Sequence, residues 1–204
     1  MYVKDQDLYE RFAGKSENSI INFYFRLNQL KNLYRQGWIQ LKGEEFKEKC
    51  ESVADHSFGL AMLSNTIIKK YSLNLDEEKC FKMALVHELG EIHVGDFTPV
   101  DNVSDEEKHK LEYDAVKKVL KDCEWEDEYF RLWEEFEDCK TKEAVFVKEL
   151  DSLEFLMQAA CYGYDISIFN RSISRVKNEV LVNIIEEMKV LTKNGDTDIS
   201  RIKR

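Results

Sequence analysis

A single proline, Pro99, interrupts the chain of 204 residues, and eight glycines are its only other strong backbone breakers. So few breakers leave little room for the turn-rich connections of an all-β fold. They favour helices joined by short loops. Hydrophobic residues make up 43% and charged residues 34%, enough to enclose a core and too mixed for a disordered or membrane-spanning chain. No repeat, low-complexity tract or composition shift marks a boundary, so one domain over residues 1–204 is expected.

Hydrophobic spacing places the helices. Residues 20–34 are apolar at helical intervals, which predicts a helix ending at Gly37, followed by an irregular charged loop over 38–51. Ser52 with Asp55 three residues on reads as a capping box. Beyond it Val53, His56, Leu60, Leu63 and Ile67 form one helical face running to Tyr71. Asp76 caps the next helix, with Phe81, Ala84, Leu85 and Glu88 on a shared face. A loop over 90–103 carries Pro99. Ser104 starts a helix with an acidic first turn, which suits the helix dipole. Further helices are expected over 127–138, 141–162 and 173–193, with a polar tail from Asn194. The fold class is an all-α bundle of six or seven helices.

Charge narrows the function. The net charge of −10 argues against a nucleic-acid polymer as partner, because such binding needs clustered cations. It leaves a small phosphorylated substrate open, since one metal ion and a basic side chain reverse the local field. The first residues lack the apolar stretch of a signal peptide, and no apolar run is long enough to span a bilayer. Five scattered cysteines without a CxxC pair read as reduced thiols. The expected setting is therefore the cytoplasm, without membrane association. Aromatic content of 12% and the multi-sided apolarity of Phe23, Tyr24 and Phe25 suggest a homodimer interface as well as a core.

Four groups suited to metal lie on apolar helical faces. His56 sits between Val53 and Leu60. His87 closes the run Met83-Ala84-Leu85-Val86 and is followed by Glu88. Asp151 is flanked by Leu150 and Ser152-Leu153. Each alone reads as a core polar residue. Together, inward polar groups on three helices point to a shared divalent cation, which removes the cost of burying them. Two imidazoles and two carboxylates suit Mn, Fe, Co, Ni or Zn better than Ca. The sequence His87-Glu88-Leu89-Gly90-Glu91 lacks the second histidine of a zinc-protease helix. His109, in the charged run from Glu106, reads as solvated, and His93 as either a neighbour of the site or exposed.

The stretches Arg35-Gln36-Gly37-Trp38, Glu51-Ser52-Val53-Ala54-Asp55-His56, Leu85-Val86-His87-Glu88-Leu89-Gly90-Glu91 with Gly95-Asp96, and Phe146-Val147-Lys148-Glu149-Leu150-Asp151 occur in that order. In this combination, over residues 18–165, the chain resembles the HD-domain 5'-deoxynucleotidase family. The resemblance implies an all-helical phosphohydrolase with one divalent metal, acting on deoxyribonucleoside 5'-monophosphates. It implies His56, His87, Glu88 and Asp151 as metal ligands, Glu91 as the carboxylate acting on water, and Asp96 at the sugar and leaving oxygen. It implies that Arg35 orients the phosphate and that Trp38 packs on the deoxyribose. Glu88 departs from the family's adjacent His-Asp pair by one methylene. Residues 166–204 match nothing in that pattern and read as a helical extension. Two alternatives stay open: an HD phosphohydrolase of another nucleotide ester (a triphosphate, cyclic dinucleotide or guanosine polyphosphate), and a helical metal-binding scaffold without turnover.

Overall fold

Polar caps start the helices where the sequence places them. In the computed structural model, which describes residues 12 and 14–194, Ser52 Oγ accepts from Asp55 N and the Asp55 carboxylate accepts from Ser52 N at 2.8 Å. Asp76 caps through Lys79 N and Ser104 through Glu107 N. These caps satisfy amide donors that a helix N-terminus leaves without partners. In chain order the helices are α1 (Ser19–Leu27), α2 (Gln29–Asn32), α3 (Gln36–Lys42), α4 (Val53–Tyr71), α5 (Glu77–Val86), α6 (Glu91–Val94), α7 (Asp105–Leu120), α8 (Glu126–Asp138), α9 (Lys142–Cys161), α10 (Asn170–Arg175) and α11 (Glu179–Asn194). Short 3₁₀ turns lie at Glu44–Lys49, Pro99–Asp101 and Ile166–Ile168. Seven of the helices have nine residues or more, and there is no β-strand among the described residues.

Helix α9 is the centre of the bundle. Its residues Val147, Leu150, Leu153 and Leu156 are fully enclosed, and it packs against α4, α5, α8, α10 and α11. Burying such a side chain stabilises by about 1.5–3 kcal/mol relative to exposing it. The core runs continuously from Leu30 to Ile185. None of the helices among the described residues is long and apolar enough to cross a membrane.

Several local expectations need correction. The helix over 20–34 breaks at Asn28, and Tyr34 then runs extended into an isolated bridge with Ser52. Gly37 lies inside α3 rather than ending a helix, and Gly43, with φ +90°, ends α3 instead. The expected loop over 38–51 thus begins as helix, because Trp38 and Ile39 find a core to enter. On α5 Cys80, Met83, Ala84 and Val86 are buried, with His87 just beyond its end, while Leu85 faces outward. The loop over 90–103 contains α6, and the last predicted helix is two, parted at Val176. The segment before residue 12 and the tail after Asn194 lie outside the described residues.

Candidate active site

The capping box sets the start of α4, and one turn in it turns His56 fully inward, at 0% exposure. Helix α5 stops at Val86. His87 keeps helical backbone angles at the C-cap, which holds its ring against α4. Each imidazole uses Nδ1 for a protein partner. His56 Nδ1 lies 2.6 Å from Glu154 Oε2, and His87 Nδ1 lies 2.9 Å from the Ala84 carbonyl. Carboxylate and carbonyl only accept, so both Nδ1 atoms are the protonated ones. Both Nε2 atoms are left buried without a hydrogen-bond partner.

Those nitrogens and a Glu88 oxygen lie within 4.8 Å of one another. An unsatisfied buried group costs about 1–3 kcal/mol. Two convergent ring nitrogens beside a carboxylate fit a divalent cation of borderline softness, which would satisfy all three as it displaces the second proton of His56. The arrangement therefore fits the cation that the residue pattern implied, with His56, His87 and Glu88 positioned to bind it. Asp151 stands just outside this trio. Its Oδ1 is 3.2 Å from His56 Nε2 without hydrogen-bond geometry.

Acids and one arginine ring this position. Arg35 Nη1 is 3.2 Å from Glu88 Oε1 and 3.6 Å from Asp96 Oδ1. Asp96 reaches this place because Gly95, at φ +83°, turns the chain sharply after α6, a conformation that favours glycine. Its Oδ2 accepts from Gln36 N at 2.6 Å. Burial opposes ionisation of Glu88, but His87, Arg35 and His56 outweigh it and hold its carboxyl well below the usual range. Burial, reinforced by Glu88 and Asp96, pushes Glu91 well above 4.5. Glu91 is 2% exposed, and its Oε2 has no hydrogen-bond partner. Asp96 is raised by burial against the pull of Arg35. Burial and Arg35 push His56 down, yet Asp151 and Glu154 raise it to about 10 in the protein without metal. Two acids with raised pKa beside one that stays ionised is a pattern suited to proton transfer.

A cleft of about 490 Å³ opens beside this cluster. Arg35 and Asp96 form its polar end, and Leu41, Phe97, Pro99, Val100 and Phe169 its apolar walls. Trp38 also lines the cleft, though only 2% exposed, stacked on Phe155 at 4.7 Å, with its indole N–H donating to Glu51 at 2.7 Å.

The structure gathers His56, His87, Glu88, Arg35 and Asp96 around one point, with Asp151 beside His56 and Glu91 buried among the same acids. His93 is elsewhere: the charges that reach it are Lys118 and Arg26, and burial lowers it to about 4. His109 stacks on Trp133 and is half exposed. Sequence reasoning missed Glu154 as a partner of His56. The available signal was an acid on the apolar side of α9, three residues after Asp151. It also missed Lys108, 3.4 Å from Glu112, whose positive charge is held by Glu112, Glu88, Glu91 and Asp96 against burial.

Fold and site together define an all-α protein that brings imidazoles and acids from separate helices to one cation position. The family model described as "HD domain" matches residues 27–190, and the chain belongs to that family. The match continues through α10 and most of α11, beyond the sequence stretches quoted above. The 5'-deoxynucleotidase HDDC2 of Dictyostelium discoideum is 41% identical over 155 residues, covering 72% of this chain and 78% of that protein. Human 5'-deoxynucleotidase HDDC2 is 38% identical over 153 residues, covering 74% and 72%. A crystal structure of a Pyrococcus horikoshii protein superposes with a TM-score of 0.69 at 29% identity, over 84% of this chain and 99% of that one.

Proposed function

We infer that the chain is a metal-dependent phosphohydrolase that releases phosphate from deoxyribonucleoside 5'-monophosphates. The observation that carries this reading is the pair of buried Nε2 atoms facing Glu88 without hydrogen-bond partners, beside a cleft with Arg35 and Asp96 at its polar end and apolar walls. The names of its HDDC2 relatives describe the same activity.

In this reading His56, His87, Glu88 and Asp151 hold one divalent cation of the Mn, Fe, Co, Ni or Zn type. Such a cation withdraws charge from phosphate oxygens and makes a water more acidic. The other tasks fall to side chains. Arg35 binds the phosphate oxygens and holds the ester for in-line attack. Glu91, ionised once cationic charge offsets Glu88 and Asp96, takes the proton of the attacking water. Asp96, whose pKa burial raises against the pull of Arg35, is placed to give a proton to the departing 5'-oxygen. The apolar walls, Phe155 among them, receive the nucleoside, and Trp38 packs on the deoxyribose.

The test is phosphate release by purified protein with Mn²⁺ or Co²⁺. The panel holds deoxyribonucleoside and ribonucleoside monophosphates, nucleoside triphosphates, cyclic dinucleotides and guanosine polyphosphates. Release from the deoxyribonucleoside monophosphates, lost in Glu91→Ala, is expected. No release, or release that Glu91→Ala leaves intact, defeats the reading. We also propose a homodimer joined through α1, supported by exposed Ile20, Ile21 and Tyr24, and light scattering checks it. A cytoplasmic setting is supported by five free cysteines.

A further inference from the structure

Helix α9 meets the His56 ring at both of its nitrogens. Asp151 Oδ1 stands 3.2 Å from Nε2, and Glu154 Oε2 stands 2.6 Å from Nδ1. Acids three residues apart share one face of a helix, so a single element brackets the imidazole. Glu154 is 6% exposed, between Leu153 and Phe155 in the most enclosed part of the bundle. A carboxylate buried there is costly unless it is paired. Helix α4 makes room for it. A Cβ at Gly59 would stand 2.9 Å from Glu154 Oε1, nearer than such atoms pack. The glycine three residues after His56 therefore lets the carboxylate reach the ring.

We propose that Glu154 is a positioning residue of the metal centre, holding His56 as the Nδ1–H tautomer with Nε2 presented to the cation. This inference rests on the reading of His56 as a metal ligand. A neutral imidazole has one N–H. A carboxylate can only accept, so Glu154 draws that proton to Nδ1 and leaves the Nε2 lone pair free. The negative charge behind the ring also makes Nε2 a better donor. His87 has only the neutral Ala84 carbonyl in the equivalent place, at 2.9 Å. The two imidazoles are therefore unequal, and His56 is the one whose donor strength depends on a side chain. Glu154 acts through His56, so its loss weakens metal binding more than it slows the metal-saturated enzyme.

The experiment titrates metal-free wild type, Glu154→Gln, Glu154→Leu and Gly59→Ala with Co²⁺ by calorimetry. Thermal unfolding in chelator is recorded in parallel. Glu154→Gln keeps the shape and loses the charge, and its Co²⁺ affinity should fall about 10–100-fold. Glu154→Leu should bind more weakly still. Gly59→Ala should also bind more weakly with the carboxylate intact, because the added methyl displaces it. In phosphate-release assays the Co²⁺ concentration giving half-maximal rate should rise with the loss of affinity, while kcat at saturating Co²⁺ changes little. A merely structural role would lower the unfolding temperature and leave the affinity of the folded protein alone. If Glu154→Leu does not fold, the isosteric Glu154→Gln and Gly59→Ala decide the matter. Wild-type binding with Glu154→Gln equal to it overturns the positioning role only. Wild type that binds no Co²⁺ overturns this role together with the metal centre.

Discussion

Replacing Glu91 with glutamine removes a buried acid that stands in the field of Glu88 and Asp96. Glu91 is 2% exposed, and its Oε2 lacks a hydrogen-bond partner. An unsatisfied buried group costs about 1–3 kcal/mol, more if charged. The amide stays neutral at every pH, whereas the acid must ionise as pH rises through its raised value. Glu91→Gln should therefore stabilise the metal-free protein by about 1–3 kcal/mol. At about 2–4 °C per kcal/mol for a domain of this size, the melting temperature should rise by roughly 2–12 °C. The pH dependence has a definite sign. Burial, Glu88 and Asp96 raise Glu91 above 4.5 in the folded state, so the folded protein holds this proton more tightly than the unfolded chain. The wild type enjoys that advantage fully below 4.5 and loses it as pH rises through the folded value. The variant's gain should thus be small in acid and widen towards neutrality. The same substitution should lower kcat by about 10²–10⁴-fold, the usual contribution of a general base. Melts followed by circular dichroism in chelator, alongside phosphate-release assays, measure both effects. A variant less stable than wild type at neutral pH would refute the claim that its neighbours oppose its charge, and a fully active one would refute the catalytic assignment.

Further expectations follow from the same geometry. Ser52→Ala removes the cap that starts α4 and should cost about 1 kcal/mol in chemical denaturation; no loss would mean that the observed Ser52–Asp55 pair contributes nothing. Arg35→Gln removes the guanidinium between Glu88 and Asp96, and a lost charged hydrogen bond of about 1.5–3 kcal/mol should lower kcat/KM roughly 10–100-fold; unchanged steady-state kinetics would exclude Arg35 from substrate binding. Burial and Arg35 oppose the protonation of His56, but Asp151 and Glu154 raise it from 6.5 to about 10. Its contribution to metal-free stability is therefore full below 6.5 and lost as pH rises through about 10. Metal binding near neutral pH should release about one proton from it, seen as buffer-dependent heats in calorimetry; heats independent of the buffer would contradict this.

Local signals in the sequence were clear where a side chain acts on its own neighbourhood. Ser52 and Asp55, Asp76 and Ser104 cap their helices as their positions suggest. The apolar spacing of α4 aims His56 inward for the same reason, whereas Asp151 on α9 keeps 32% of its side chain exposed. Long-range constraints were harder to read. The break after α1 and the turn into α3 bring Arg35 to Glu88, 53 residues away in sequence, and no local pattern encodes that meeting. The buried face of α5 was misassigned by its periodicity because Leu85 looks outward and His87 supplies the end of the inward face. Glu154 was visible on the apolar side of α9, but its pairing with His56 spans 98 residues and depends on the space beside Gly59.

Diffraction at a metal absorption edge, from crystals soaked in Mn²⁺ or Co²⁺, is the most direct test that these side chains share one cation. We expect a single strong anomalous peak within coordination distance of His56 Nε2, His87 Nε2 and the Glu88 carboxylate. An empty map at that point, or peaks confined to surface carboxylates, would contradict the account.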